Sequence, residues 1–306
     1  MEQYINNILC SKVISINSKG LEIDKLCEIN DRISYNDNIK LILSCDYGVT
    51  VPNGTVNNLE ILRYLDKITR LVIFNHSSMP LSNIDNVSHI YGLTEFTLSG
   101  FINQRIDLDI LSKYNLSLLD LDLNPTLALY KLICKNKNLK TLRINSFDLE
   151  YMNENKNLLE LEIKKSLINS ELIEDRLPSI ETIRLNNIKK INNFSFLSCL
   201  KFLKNISLRN TPIISFPILD VNRLSRIELV RNNKLSDISS LFKLESIDRI
   251  FISLCDKIPL EMLETCLTIN NLEQFYLLTA KQKTNSVINQ ILKRTNIKKE
   301  ANGFWD

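Results

Sequence analysis

The chain has little of what punctuates an ordinary globular fold: six glycines and seven prolines in 306 residues. Turns that depend on glycine, and linkers that depend on proline, are therefore few, and other residues must reverse the chain. Histidine occurs twice, at His76 and His89, and neither lies beside a nucleophile motif. With no G-x-x-x-x-G-K-[ST], no G-x-G-x-x-G and no H-E-x-x-H, the sequence gives no local support for phosphate-cradling or zinc-protease chemistry. We assign no catalytic residue, no cofactor and no metal ligand. Asp107, Asp109, Asp120 and Asp122 supply oxygens, but no loop has the alternating acid pattern and turn glycine of an EF-hand calcium site.

Charge of one sign is also missing. Thirty-eight basic and 35 acidic residues intermix to a net charge of +3, so there is no global electrostatic case for nucleic acid. Lys293, Arg294, Lys298 and Lys299 form the nearest thing to a basic patch and read as a solvated capping face. No apolar run reaches the roughly eighteen residues of a membrane span. The N-terminal MEQYINNILCSKVISINSKG lacks a basic segment followed by an unbroken apolar core, so we expect no secretory leader and a cytoplasmic protein. Seven cysteines, an odd number with no C-x-x-C pair, fit reduced core thiols better than a disulfide framework. Six N-x-S/T sequons, including those at Asn75, Asn86, Asn115, Asn193 and Asn205, are then chance products of an Asn-rich chain.

What the sequence does have is one motif repeated. The pattern apolar-x-x-apolar-x-apolar reads ITRLVI at 68, LTEFTL at 93, LLDLDL at 118, LKTLRI at 139 and LLELEI at 158. It continues as IETIRL at 180, LKNISL at 203, LSRIEL at 224, IDRIFI at 247 and LEQFYL at 272. Successive starts lie 25, 25, 21, 19, 22, 23, 21, 23 and 25 residues apart. Leu41 and Leu43 suggest a degenerate eleventh unit, and Val13, Ile14 and Ile16 a further strand.

On these ten copies the chain resembles the leucine-rich-repeat family over roughly residues 38 to 280, whose repeats run about 20 to 29 residues. The spacing at Phe194, Leu197 and Leu200, and at Ile238, Leu241 and Leu244, suits short helical turns and resembles the SDS22-like and internalin-like subclass. The resemblance implies an α/β repeat solenoid, a horseshoe with a concave parallel sheet and short helical turns or loops on the convex side. One departure is the ninth position, where the family favours Asn: only Asn232, with Cys255 as a second polar form, fits, and His76, Phe101, Thr126, Phe147, Ser166, Ile188, Thr211 and Ala280 stand elsewhere. Residues 1–37 are expected to form an N-terminal cap, 38–280 the repeats, and 281–306 a capping helix and tail. Val287, Ile288, Ile291 and Leu292 carry the helical spacing.

Within each motif the fourth and sixth residues alternate toward the core, which leaves the third, fifth and seventh on the open face. The third column holds Asp120, Glu160, Arg226 and Arg249. The fifth holds Asp122, Arg143, Glu162, Arg184, Glu228, Phe251 and Tyr276, and the seventh holds Arg209. Arginine and aromatic side chains anchor protein interfaces, and mixed signs suit a complementary protein better than a phosphate backbone. These twelve residues are the candidate partner-binding set, against the alternative that neighbours such as Glu162 and Arg184 merely neutralise one another. The reading is a non-enzymatic protein-binding module, of inhibitor or immunity type, with no nucleic acid, membrane or small-molecule partner. The alternatives are a substrate-recognition subunit of a larger enzyme and a secreted adhesion protein.

Overall fold

The computed structural model describes residues 13–17, 20–34, 39–47, 50, 53–191, 193–219 and 223–299. The Phe304-Trp305-Asp306 tail and much of the 1–37 segment lie outside them. The chain forms two compact units, Met1–Ile144 and Asn145–Asp306.

The first unit contains β1 (Val13–Ile16), β2 (Leu21–Glu22), α1 (Ile23–Ile33), β3 (Lys40–Cys45), β4 (Thr55–Val56), β5 (Arg70–Asn75), β6 (Glu95–Gly100), β7 (Leu118–Leu121), α2 (Leu127–Lys135) and the start of β8 (Thr141–Asp148). Strands β1, β3, β5, β6, β7 and β8 pair in parallel in that order, and β2 pairs antiparallel with β4. The register stacks like on like: Leu41, Leu71, Phe96, Leu119 and Leu142 form one buried column, and Leu43, Ile73, Leu98, Leu121 and Ile144 the next. Each such side chain contributes about 1.5–3 kcal/mol by leaving water. β1 adds Ile14 and Ile16 to the same columns, so the strand suggested by Val13, Ile14 and Ile16 forms.

Register corrects one reading. Leu119 and Leu121 align with Phe96 and Leu98, so this unit starts at Leu116, not Leu118. The two-residue shift keeps every side chain on its face but moves Asp120 to the fifth position and Asp122 to the seventh, with Leu118 in the third. It also puts Asn124 at the ninth position, where it is exposed and fills no buried ladder.

The second unit contains β9 (Glu160–Ile168), α3 (Ile173–Arg176), β10 (Thr182–Asn186), β11 (Asn205–Arg209), β12 (Arg226–Val230), β13 (Arg249–Ser253), α4 (Leu260–Cys266), β14 (Gln274–Leu278) and α5 (Gln282–Leu292). Strands β9 to β14 are parallel and in register. Their columns run Leu161, Ile183, Ile206, Ile227, Ile250, Phe275 and Ile163, Leu185, Leu208, Leu229, Ile252, Leu277. A helix forms over Gln282–Leu292 as expected, burying Ile288 and Leu292. After it, Lys298 makes an isolated parallel bridge to Gln274, which sets a lysine on the sheet's edge, a placement that discourages pairing with another chain.

The scarcity of glycine is resolved by two devices. Four connectors enter a five-residue 3₁₀ turn, at Asp85–His89, Asp109–Lys113, Ser195–Cys199 and Ser239–Lys243. Each turn buries three apolar residues three apart; the two triads read from the sequence are joined by Ile84, Val87, Ile90 and by Leu108, Leu111, Tyr114. Each is opened by an Asn or Asp whose side chain accepts from the backbone N–H two residues on: Asn83, Asp107, Asn193 and Asp237. Asp107, considered above as an oxygen ligand, has this local role.

The second device is the residue after the strand. In the second unit the eighth position is left-handed four times running, at Asn187 (φ 54°), Asn210 (51°), Arg231 (54°) and Leu254 (53°). Each donates its N–H to the seventh-position carbonyl of the following repeat, on Arg209, Val230, Ser253 and Leu278, at 2.7–2.8 Å. In the first unit Gly100 takes the equivalent place at φ 95°, where a Cβ would stand 2.3 Å from the Asn75 carbonyl oxygen. The ninth-position ladder is short: Asn232 Nδ2 donates to Leu208 O, and Cys255 Sγ donates to Leu229 O one repeat later. Asn232 Oδ1 in turn accepts from the backbone and hydroxyl of Thr211.

Arg231 is exposed, so its left-handed backbone costs about 1 kcal/mol with little packing to offset it. Arg231→Asn should raise unfolding free energy by about 0.5–1 kcal/mol in urea denaturation, asparagine being tolerant of this region. A second expectation concerns the thiols. Burial pushes Cys45 and Cys266 up to about 12 and Cys255 up to about 11, whereas Cys27 is exposed. Brief alkylation of the native protein, read by mass spectrometry, should modify Cys27 and spare these three until denaturant is added. Because the unfolded thiols ionise first, the stability they contribute is complete below about pH 8.5 and should fall as pH rises toward these values.

Candidate functional site

Strands β5, β6 and β7, and β9 to β14, bury their fourth and sixth residues and turn the odd positions to the other side, where most are half-exposed and Thr182, Ser207, Glu228 and Ser253 are buried. All twelve candidate residues lie on this side of their strands or just past a strand end. The structure sorts them into three kinds.

The first kind is charge locked across neighbouring strands. In the first unit Arg70 Nε donates to Glu95 at 2.7 Å, and Arg143 Nη1 lies 3.8 Å from Asp120. The corrected register makes the latter pair direct partners at the fifth position. In the second unit Arg184 Nη1 hydrogen-bonds Glu160 and lies 3.9 Å from Glu162, while Asn186 Nδ2 donates to Glu162 at 2.8 Å. Such pairs are half-exposed, and exposed ion pairs are worth about 0–1 kcal/mol. Their effect is on order: each guanidinium is held at a set place on the face.

The second kind is a buried carboxylate. Glu228 is 3% exposed although it stands on the open side. Arg209 grips it with Nε at 2.9 Å and Nη2 at 2.6 Å, and the Ser207 hydroxyl donates to the same Oε2. A fork-on-carboxylate geometry is the strong form of this bond. Glu228 therefore positions Arg209, and its own oxygens are enclosed.

The third kind is concentrated on β12 to β14. Phe251 and Tyr276 are register partners whose rings stack at 4.6 Å and 13°, and Leu278 beyond them is 44% exposed. Arg226 and Arg249 are register partners too. Arg249 Nε is buried with no hydrogen bond, since Asp248 Oδ1 lies 3.9 Å away, close enough for an ion pair but too far for a hydrogen bond. Sequence columns show the two arginines side by side; that one Nε–H lacks an acceptor needs coordinates.

Among the described residues no group of three His, Cys, Asp or Glu is placed to hold a metal. His76 packs its ring 4.0 Å from Phe74. A cleft of about 270 Å³ in the first unit is lined by Arg105, Asp107, Asp109 and apolar residues including Leu123 and Leu129. No described helix is long and apolar enough to cross a membrane.

No family model matches the chain. An uncharacterized leucine-rich repeat-containing protein of Amsacta moorei entomopoxvirus is 28% identical over 162 residues, which is 53% of this chain and 28% of that protein. The chain thus spans little more than a quarter of that relative. Among solved structures, an internalin (InlF) of Listeria monocytogenes superposes with a TM-score of 0.50 at 13% identity, covering 97% of this chain and 89% of the internalin. The functional domain of InlJ from the same organism gives 0.45 at 13% identity over 89% and 69%. The likeness to the internalin InlF, with the parallel strands and 3₁₀ turns, establishes the leucine-rich-repeat fold.

Removing the buried partner should show what it holds. Glu228→Ala leaves the Arg209 fork and the Ser207 hydroxyl without their acceptor, and we expect a loss of about 1–3 kcal/mol in urea unfolding. Glu228→Gln, which keeps one acceptor oxygen, should lose less.

Proposed function

We propose that this leucine-rich-repeat protein is a non-catalytic protein-binding module whose partner docks on the open face of its parallel sheet. The observation that carries this reading is the Phe251–Tyr276 stack with the exposed Leu278 beside it. The core of each unit lies on the other side of the strands, so the fold does not require these groups to be apolar. Aromatic and arginine side chains held rigidly on a face lose little entropy when a partner covers them. Asp120, Asp122, Arg143, Glu160, Glu162, Arg184, Arg209, Arg226, Arg249, Phe251 and Tyr276 form the contact set. Glu228 belongs to it as the residue that positions Arg209.

In its narrower form the module is an inhibitor or immunity-type protein working in the cytoplasm, with 1–37 and 281–306 capping the repeats. An odd number of cysteines with no C-x-x-C pair favours a reducing compartment over a secreted adhesion role.

Affinity capture from the native organism tests this, comparing wild type with an Arg143→Ala, Arg184→Ala, Phe251→Ala, Tyr276→Ala variant whose folding is verified by urea unfolding. One partner should be retained by wild type and lost by the variant. The purified pair should then weaken at least about tenfold by calorimetry, the scale of a single interface anchor. If the partner is an enzyme or toxin, its activity should fall on adding wild type. A partner held equally by the folded variant would move the docking site off this face.

A further inference from the structure

We propose that the rim built by the connectors after β3, β5 and β6 is a surface on which a second copy of this chain docks about a two-fold axis. These connectors belong to other strands than Phe251 and Tyr276, so the proposal goes beyond the docking reading above and is tested separately from it.

The first ground is sequence without charge. Lys, Arg, Asp and Glu are missing over 47–59, 76–84 and 101–104, the stretches that leave the adjacent strands β3, β5 and β6. The chain as a whole is 24% charged, so three neighbouring connectors of this kind stand apart from the rest. The connectors after β10, β12, β13 and β14 soon reach Lys189, Arg231, Asp256 and Lys281. The one after β11 is uncharged to Leu219, but it lies between charged neighbours.

The second ground is what these stretches show to solvent. Tyr47 is 41% exposed, Met79 61% and Phe101 51%. His76 is exposed as well, with its ring 4.0 Å from that of Phe74. Apolar side chains exposed singly are ordinary, whereas a group of them marks an association surface. Backbone bonds bring the connectors side by side. His76 N donates to Cys45 O, Phe101 N to Asn75 O and Leu81 N to Phe101 O, each at 3.0 Å.

The third ground is that the rim is ready to be covered. Asn75 is buried, and its Nδ2 donates to both Met79 O at 2.8 Å and Phe101 O at 2.6 Å, while its Oδ1 accepts from Ser77 N. Ser77 Oγ donates to Met79 O and accepts from Met79 N, each at 2.9 Å. The backbone groups of Met79 and Phe101 therefore have partners within the chain. Covering the two side chains strands no donor or acceptor there, and the fixed backbone has little freedom left to lose.

The absence of charge selects the occupant. Near a two-fold axis each side chain meets its own copy, so a charged surface repels itself and an uncharged one does not. Met79 can pack its thioether against an aromatic ring of the copy, a favourable contact. The charged residues that close the three stretches are Asp46, Glu60, Asp85 and Arg105. An anionic lipid surface calls for lysine and arginine at such places, and three of these four are acids. Three short connectors make a small interface, so the dimer is expected to be weak, with a dissociation constant of about 1–100 µM.

The test is analytical ultracentrifugation of the full chain from about 1 µM to about 300 µM. We expect a monomer–dimer equilibrium. Met79→Asp and Phe101→Asp should each raise the dissociation constant at least about 100-fold, because a two-fold interface carries every substitution twice. Met79→Leu, which stays apolar, should remain within a few-fold of wild type, and Tyr91→Asp, at an 82% exposed ring outside these stretches, should change nothing. Phe251→Ala should also leave the dimer intact, which keeps this result distinct from that of the capture experiment. Urea unfolding of each variant separates lost association from lost fold. A wild type that is monomeric at every concentration would overturn the proposal, as would a dimer that both aspartate variants leave intact. Equal loss in Tyr91→Asp would replace it with general apolar stickiness. Masses that grow past the dimer would replace it with an open, head-to-tail contact. Co-sedimentation of a monomeric wild type with phosphatidylserine vesicles, lost in the two aspartate variants, would reassign the rim to a membrane surface.

Discussion

The lateral pairing of parallel strands is the constraint on which everything else in this chain depends. A strand four to nine residues long cannot hold itself. It persists because its fourth and sixth residues drop into columns begun by the strand before and continued by the strand after. The columns accept Leu, Ile or Phe interchangeably, as at Phe96 between Leu71 and Leu119, because shape is shared among neighbours in the stack. They do not accept a change of face. The connectors are accordingly free to vary in length and in conformation, from 3₁₀ turns to α2 and α4, provided each returns the chain to the same register.

That freedom explains how the fold dispenses with glycine. Reversal after each strand needs either a left-handed residue or a hydrogen-bonded substitute for one, and the second unit places Asn187, Asn210, Arg231 and Leu254 in the left-handed slot. Asparagine is suited to it; arginine and leucine are not, and they are held by the N–H bond that each gives to the next repeat. Entry into the 3₁₀ turns relies on Asn83, Asp107, Asn193 and Asp237 in the same economical way. At Asp237 the bonds from Ser239 and Ser215 hold the carboxyl below the ordinary aspartate range, the sign expected when donors favour the charged form. The abundance of asparagine is thus partly a structural requirement.

How much of this could be read in advance differs by level. Periodicity alone gave the fold, the strand faces and two of the 3₁₀ triads, since these follow from side-chain alternation within a single repeat. The unit at Leu116 shows where periodicity fails. Leu116, Leu119 and Leu121 fit the motif, and so do Leu118, Leu121 and Leu123; only pairing with Phe96 and Leu98 chooses between them. The candidate face was legible as three columns, but not which acid each arginine would take. That choice depends on side-chain reach across strands: Arg184 could contact Glu160 two positions away as well as its direct partner Glu162. Nor could the columns show that Glu228 is enclosed while its neighbour Phe251 stays partly open.

The distribution of satisfied and unsatisfied charge has a functional consequence. Where a guanidinium already has its carboxylate, as Arg209 has Glu228, a partner gains little by offering another, because an existing bond must be exchanged for a new one. Such groups set shape and exclude ligands of the wrong sign. Affinity is more readily drawn from places where the free protein leaves an interaction unmade. On β13 and β14 the stacked Phe251 and Tyr276 rings and the exposed Leu278 are such a place, since part of their apolar surface still faces water. Paired charges set around one apolar patch favour specificity over general stickiness. On the docking reading, a partner gains by covering that apolar patch and loses if it disturbs the paired charges beside it.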